Sequence, residues 1–272
     1  MYKPFENKRI IITGASSGIG KEMALQLSQQ SARLTLAARS VDRLAEVAHL
    51  CQENGAQAIY VQTDVSDATQ CKNLIQTSVN KFGGIDLLVN NAGYTMWAKF
   101  EDMLDLKIGE KLFQVKFFGS VNCTHAALPF LKTSKGQILT ISSLTGKIGV
   151  PSRTYYSAAN HALAGFFDAL RAELSGTGVS ITIVYPGFIA TSIRERAIGN
   201  DGSPRGESHI VESQAMPVDI CVRQILEATS LKKRELLLTW KDKLGTWLKL
   251  FSPPLVDMIA RKETGFEKLS NS

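Results

Sequence analysis

A chain of 272 residues, 44% hydrophobic and 21% charged, can bury a substantial core. It has no apolar run of about 18 residues and no apolar leader near Met1, so neither a membrane span nor a secretory signal is expected. The net charge of +6 suits an anionic cofactor or an acidic membrane surface, but no block of lysine and arginine interleaved with aromatics points to nucleic acid.

Short β-branched or apolar runs alternate with longer segments of helical period, the pattern of a parallel sheet covered by helices. Strands are predicted near Arg9–Thr13, Arg33–Ala37, Ala58–Gln62, Leu87–Asn90, Gln137–Ser142, Ser180–Tyr185 and Glu235–Leu238. Helices are predicted near Gly18–Gln29, Val41–Asn54, Ala68–Phe82, Leu104–Lys132, Tyr155–Gly176 and Val218–Ser230. The expected fold is one α/β domain over residues 1–240, a doubly wound seven-stranded parallel sheet with helices on both faces and no internal repeat. Cys51, Cys71, Cys123 and Cys221 are scattered, without a C-x-x-C pair or zinc-like histidine spacing, and read as reduced thiols of a cytoplasmic protein with no metal site. His49, His125, His161 and His209 occur singly and read as packing or surface residues.

Between the first strand and helix lies Thr13-Gly14-Ala15-Ser16-Ser17-Gly18-Ile19-Gly20. Glycines there permit a tight turn and close approach of the backbone to a pyrophosphate, whose charge meets the helix N-terminus. About 20 residues further on, a dinucleotide fold carries an acid for the ribose of NAD or a base for the 2′-phosphate of NADP. The second strand ends Leu36-Ala37-Ala38-Arg39-Ser40 with no acid before Asp42, which points to NADP(H) with Arg39 on the phosphate. Asp64-Val65 and Asn90-Asn91-Ala92-Gly93 follow the third and fourth strands, at the sheet edge where ligands bind. Asp64 suits an adenine amino group and Asn90 a brace between loops, and either equally suits a local turn. Ser142-Ser143-Leu144-Thr145-Gly146 and Tyr155-Tyr156-Ser157-Ala158-Ala159-Asn160 then place serine and tyrosine hydroxyls for proton transfer at a substrate oxygen.

With T-G-x-x-x-G-x-G, N-N-A-G, S-S-x-x-G and the tyrosine at these separations, the chain resembles the classical short-chain dehydrogenase/reductases from about residue 7 to 240. The likeness is greatest to NADPH-using ketone reductases of the hydroxysteroid dehydrogenase and 3-ketosphinganine reductase kind, supported by Thr124-His125-Ala126-Ala127-Leu128-Pro129 and Tyr185-Pro186-Gly187-Phe188-Ile189-Ala190-Thr191. The resemblance implies a Rossmann fold, an NADP(H) cofactor, a carbonyl or alcohol substrate such as a hydrophobic ketone, and a homodimer or homotetramer. It assigns Ser143 to polarising the substrate oxygen and Tyr156 to the proton. It places Gly14, Ser16, Ser17, Gly18, Ile19, Gly20, Arg39, Asp64, Val65, Asn91, Ala92, Gly93, Tyr156, Asn160, Pro186, Gly187, Ile189 and Thr191 around the cofactor.

Two positions depart from the family. Four residues after the tyrosine the family has a lysine, whose charge activates the hydroxyl; Asn160 stands there and can donate to a ribose hydroxyl but supplies no charge. In the helix after the fourth strand the family has an asparagine in a V-N-x-x-G pattern; the segment here is Gln114-Val115-Lys116-Phe117-Phe118-Gly119. Each position holds the other's usual residue. Either Lys116 supplies the charge by a reciprocal exchange, or the two changes are unrelated losses in a non-catalytic NADP(H)-binding sensor or scaffold. Lys147, in the loop after Ser143, is another source of positive charge.

Residues 192–217 are polar and glycine-containing, where the family has a substrate lid. In the extension 241–272, Trp247, Leu248 and Phe251 continue a helical spacing begun by Trp240 and Leu244, beside Lys241, Lys243 and Lys249. Pro253-Pro254 is read as a helix break before Leu255–Ala260. The extension suits packing on the domain or a partner subunit, or peripheral contact through residues 240–260 with the inner face of a membrane.

Overall fold

A computed structural model describes residues 3–191, 197–206 and 215–263. Seven parallel strands form one sheet: β1 (Arg9–Thr13), β2 (Arg33–Ala38), β3 (Gln57–Gln62), β4 (Leu87–Asn90), β5 (Gln137–Ile141), β6 (Ser180–Tyr185) and β7 (Glu235–Leu237). Their order is β3-β2-β1-β4-β5-β6-β7, with Ile10 paired to Leu34 on one side and to Leu87 on the other. Ile10, Ile11 and Ile12 are all fully buried because β1 is central and covered on both faces. Side-chain alternation sends Ile10 and Ile12 into the core with α1 (Gly18–Ser28), α2 (Val41–Glu53) and α7 (Val218–Ser230). Ile11 joins the opposite core with α3 (Ala68–Phe82), α5 (Gly119–Ser134) and α6 (Thr154–Glu173). The winding reverses between β1 and β4, which opens a crevice at the carboxyl ends of the strands.

The strands agree with the sequence reading to within a residue or so at most ends. The single helix expected over Leu104–Lys132 is different: α4 spans only Lys107–Phe113, a π-helical turn covers Gln114–Phe118, and α5 follows. The Gly119 N–H bonds back to the Gln114 carbonyl, five residues earlier, so the ladder carries one residue too many and the turn rotates its side chains relative to a regular helix. Past β7, α8 (Trp240–Phe251) begins with a capping box in which Thr239 and Asp242 satisfy each other's backbone N–H. Pro253 and Pro254 open α9 (Pro253–Glu263), because proline in a first helical turn forfeits no hydrogen bond. No helix among the described residues is long and apolar enough to cross a membrane. The expected lid falls partly outside the described residues; its described part is bonded to the segment after β4, with Ile198 N donating to Thr95 O and Trp97 N to Ile198 O. His209 also lies outside the described residues.

Candidate active site

The crevice begins where two turns are bolted together. Thr13 Oγ1 donates to Val89 O and accepts from the Asn91 and Ala92 N–H groups, while Asn91 Nδ2 donates to Thr13 O and Gly14 O. Gly14 adopts φ +67°, and a Cβ at Gly20 would collide with the Gly14 carbonyl, so the glycines set both the turn and the closeness of α1 to it. It is Asn91, not Asn90, that braces the loops; the Asn90 amide donates instead to Thr124 Oγ1 on α5. Asp64 lines the crevice, though one carboxylate oxygen accepts from both the N–H and the hydroxyl of Ser66 in a local turn.

The resulting cleft has a volume of about 800 Å³. Its walls include Gly14, Ser16, Ser17, Gly18, Ile19, Arg39, Asp64, Val65, Asn91, Gly93, Pro186, Gly187, Ile189 and Thr191, together with Lys116, Ser143 and Tyr156. Three expected residues do not reach it. Gly20 and Ala92 serve as framework behind the turns, and Asn160 faces elsewhere. Arg43, which also lines the cleft, escaped the sequence reading, although it sits four residues after Arg39 on the first turn of α2. Phe188 of the Tyr185–Thr191 segment, with Tyr94, Leu104, Ile108, Ile198 and Pro204, which no motif announced, adds an apolar wall.

Ser143 caps the short 3₁₀ turn Leu144–Gly146, its Oγ accepting from Thr145 N at 3.2 Å. Tyr156 is the third residue of α6, and its ring packs in a small buried cluster with Met96, Leu112 and Ala159. The neighbouring Tyr155 lies against Gly109 and Phe100 and does not line the cleft.

Lys116 is carried inward by the π-helical turn and is buried. Its Nζ donates to Ile141 O at 2.7 Å, and burial pushes its pKa down to about 8. Gly93 of the N-N-A-G turn makes room for it: a Cβ there would stand 2.8 Å from Lys116 Cδ. The Asn160 amide is fully buried and already engaged, accepting from Ser142 Oγ at 3.2 Å and donating to Tyr156 O at 2.8 Å and to Thr145 Oγ1 at 3.4 Å. The expectation that it donates to a ribose hydroxyl is therefore corrected: three nearer groups occupy it. Lys116 and Asn160 hold successive residues, Ile141 and Ser142, of the strand end that presents Ser143. Lys147 is not a displaced charge for the cleft, since it pairs with Glu235 at 3.0 Å and lies 4.4 Å over the Tyr185 ring.

The sign of the Lys116 contribution to stability follows from its lowered pKa. Below about 8 the lysine is protonated in both states, and the folded state carries the cost of a desolvated charge. Between about 8 and 10.5 only the unfolded chain keeps the proton, so this contribution to stability improves with rising pH. The stability gain of Lys116→Met over wild type should accordingly shrink across that window, by on the order of 3 kcal/mol. Urea unfolding of both proteins at neutral and alkaline pH measures it.

A doubly wound sheet, a glycine turn and a serine–tyrosine pair on one cleft are the arrangement of a dinucleotide-fold oxidoreductase. A model of the short chain dehydrogenase family matches residues 8–201. A Dictyostelium discoideum protein described as dehydrogenase/reductase SDR family protein 7-like is 34% identical over 264 residues, covering 95% of this chain and 82% of its own. The hydroxysteroid 11-beta-dehydrogenase 1-like protein A of Xenopus laevis is 35% identical, covering 93% and 85%. Among solved structures, a short chain dehydrogenase/reductase from Burkholderia phymatum in complex with NAD superposes with a TM-score of 0.82 at 23% identity, covering 94% and 97% of the chains. An alcohol dehydrogenase from Thermococcus sibiricus complexed with 5-hydroxy-NADP gives a TM-score of 0.71 at 28% identity, over 84% and 94%. The chain belongs to the short-chain dehydrogenase/reductase family, among the classical members of the hydroxysteroid dehydrogenase kind.

Proposed function

We propose that the protein is an NADPH-dependent reductase of hydrophobic carbonyl compounds, able to run in reverse on the corresponding alcohols. The observation that carries this reading is that Ser143 and Tyr156 line the same cleft as the glycine turn, Arg39 and Arg43. Arg39 and Arg43 frame the cleft beside Ser40, and β2 ends without an acid, which suits a 2′-phosphate. When bound, NADP(H) supplies or accepts a hydride. The N-terminus of α1 and its glycine turn favour the pyrophosphate. Ser143 donates a hydrogen bond to the substrate oxygen, and the Tyr156 hydroxyl delivers a proton to it during reduction and recovers one during oxidation. Lys116 brings a positive charge to the wall of the same cleft, and Asn160 acts as a positioning residue that fixes Ser142 and the first turn of α6. The apolar wall of Leu104, Ile108, Phe188 and Ile198 favours a hydrophobic ketone.

The orientation of Asn160 also favours a second reading, a protein that binds NADP(H) without turnover. The two separate in one experiment: NADPH oxidation over a panel of ketones by wild type, Tyr156→Phe and Arg39→Ala. Tyr156→Phe is expected to cut turnover by about 10²–10⁴ with cofactor binding retained. Arg39→Ala should weaken NADPH by about tenfold or more, with little effect on NADH. Cofactor binding without turnover on any carbonyl would favour the second reading.

A further inference from the structure

Helix α8 is amphipathic in the opposite sense to the helices of the core. It buries no residue, and Trp240, Leu244, Trp247 and Phe251 are 68%, 57%, 63% and 81% exposed. Their spacing places them on one stripe, with Lys241 and Lys243 on either flank. The opposite face meets the protein. Lys249 Nζ donates to Lys147 O at 2.7 Å, Gly245 lies against Ile148, and Asp242 lies against Gly187. Helix α9 packs on α8, burying Val256 and Ala260 and leaving Leu255, Met258 and Ile259 exposed. Each helix of the pair thus leaves an apolar face exposed, in the pattern that marks an interaction surface.

We propose that the outer face of α8 and α9 rests on an anionic lipid bilayer. Indole rings backed by apolar side chains and flanked by lysines match the layered chemistry of a bilayer surface, with acyl chains below and phosphates at the edge. Basic residues outnumber acidic ones across the pair: Lys241, Lys243, Lys249, Arg261 and Lys262 against Asp242, Asp257 and Glu263. A two-fold dimer through the same face would bring a lysine-bordered surface against its own copy, whereas anionic headgroups complement it. The inner face of α8 holds Lys147 and Ile148 in the loop after Ser143, and also Gly187, which lines the cleft, so a docked helix sets one wall of the cleft beside the membrane. Taken with the reductase reading, on which this last step rests, the substrate is a carbonyl compound dissolved in the bilayer.

Sedimentation of the full chain with phosphatidylcholine vesicles, with and without phosphatidylglycerol, tests the proposal. Wild type is expected to sediment with the anionic vesicles, and Trp247→Ser with Phe251→Ser to weaken this by about tenfold or more. Lys241→Glu with Lys243→Glu should remove the preference for anionic lipid, and all these variants should still bind NADPH. Absence of wild-type retention, or retention that none of these substitutions changes, overturns the proposal. So does a dimer in solution that Trp247→Ser dissociates, because a second copy then covers the face. If the reductase reading alone is wrong, vesicle binding persists while no carbonyl is turned over.

Discussion

Replacing Lys116 by methionine is expected to lower turnover by about two to four orders of magnitude while leaving NADPH affinity within a few fold, the signature of a lost proton-transfer aid rather than a lost binding contact. Lys116 is placed in the cleft by a π-helical turn, given space by Gly93 and tied to Ile141, two residues before Ser143. Lys147, the alternative cation, is held by Glu235 away from the cleft wall. The other titratable groups on the walls are Arg39, Arg43, Asp64, Tyr94, Asp105, Lys111, Arg153, Tyr156 and Asp201. A step that needs the Lys116 ammonium weakens as pH rises through about 8, where the buried amine gives up its proton. The wild-type turnover profile should therefore carry a descending limb near that pH which Lys116→Met lacks. Equal turnover and equal profiles for the two proteins would remove Lys116 from the mechanism.

The parts of this architecture legible in the sequence are those that repeat locally. β1 can be read from Ile10-Ile11-Ile12 because a central parallel strand buries both faces and leaves a continuous apolar run. The glycine turn is legible because Gly14 needs a positive φ and Gly20 has no room for a side chain. The π-helical turn is not legible, since a shift of one residue leaves the apolar period on either side nearly unchanged. Yet that turn is what gives Lys116 its inward course. The role of Asn160 was hidden for another reason. Sequence specifies an amide able to donate, but the groups that capture it, Ser142, Thr145 and the Tyr156 carbonyl, converge only in the folded chain. Pro253 shows the same ambiguity on a smaller scale: a proline that stops one helix equally well starts the next.

Exchanging the two residues back, Lys116→Asn together with Asn160→Lys, is expected to restore turnover to within about tenfold of wild type although each single change lowers it about a hundredfold or more. Lys116→Asn alone removes the cation. Asn160→Lys alone inserts an ammonium at a fully buried position, strips Ser142 of its acceptor at the side-chain oxygen and leaves Lys116 as a second positive charge nearby. Helix α6 packs against the π-helical turn, and the two side chains hold adjacent residues of β5 and its end, so the changes act on one local structure. In the double variant the structure around the end of β5 again holds one ammonium and one amide, so its net charge is conserved. Strong non-additivity in turnover, with cofactor affinity changing little, is the result that marks a reciprocal exchange. Losses that simply add would separate the two positions, and a gain on Asn160→Lys alone would mean that the wild-type arrangement disables the tyrosine. The first two outcomes differ in the coupling between the positions and the third is read from the single change alone, because a charge moved between two places within one site is conserved whereas a charge lost twice is not.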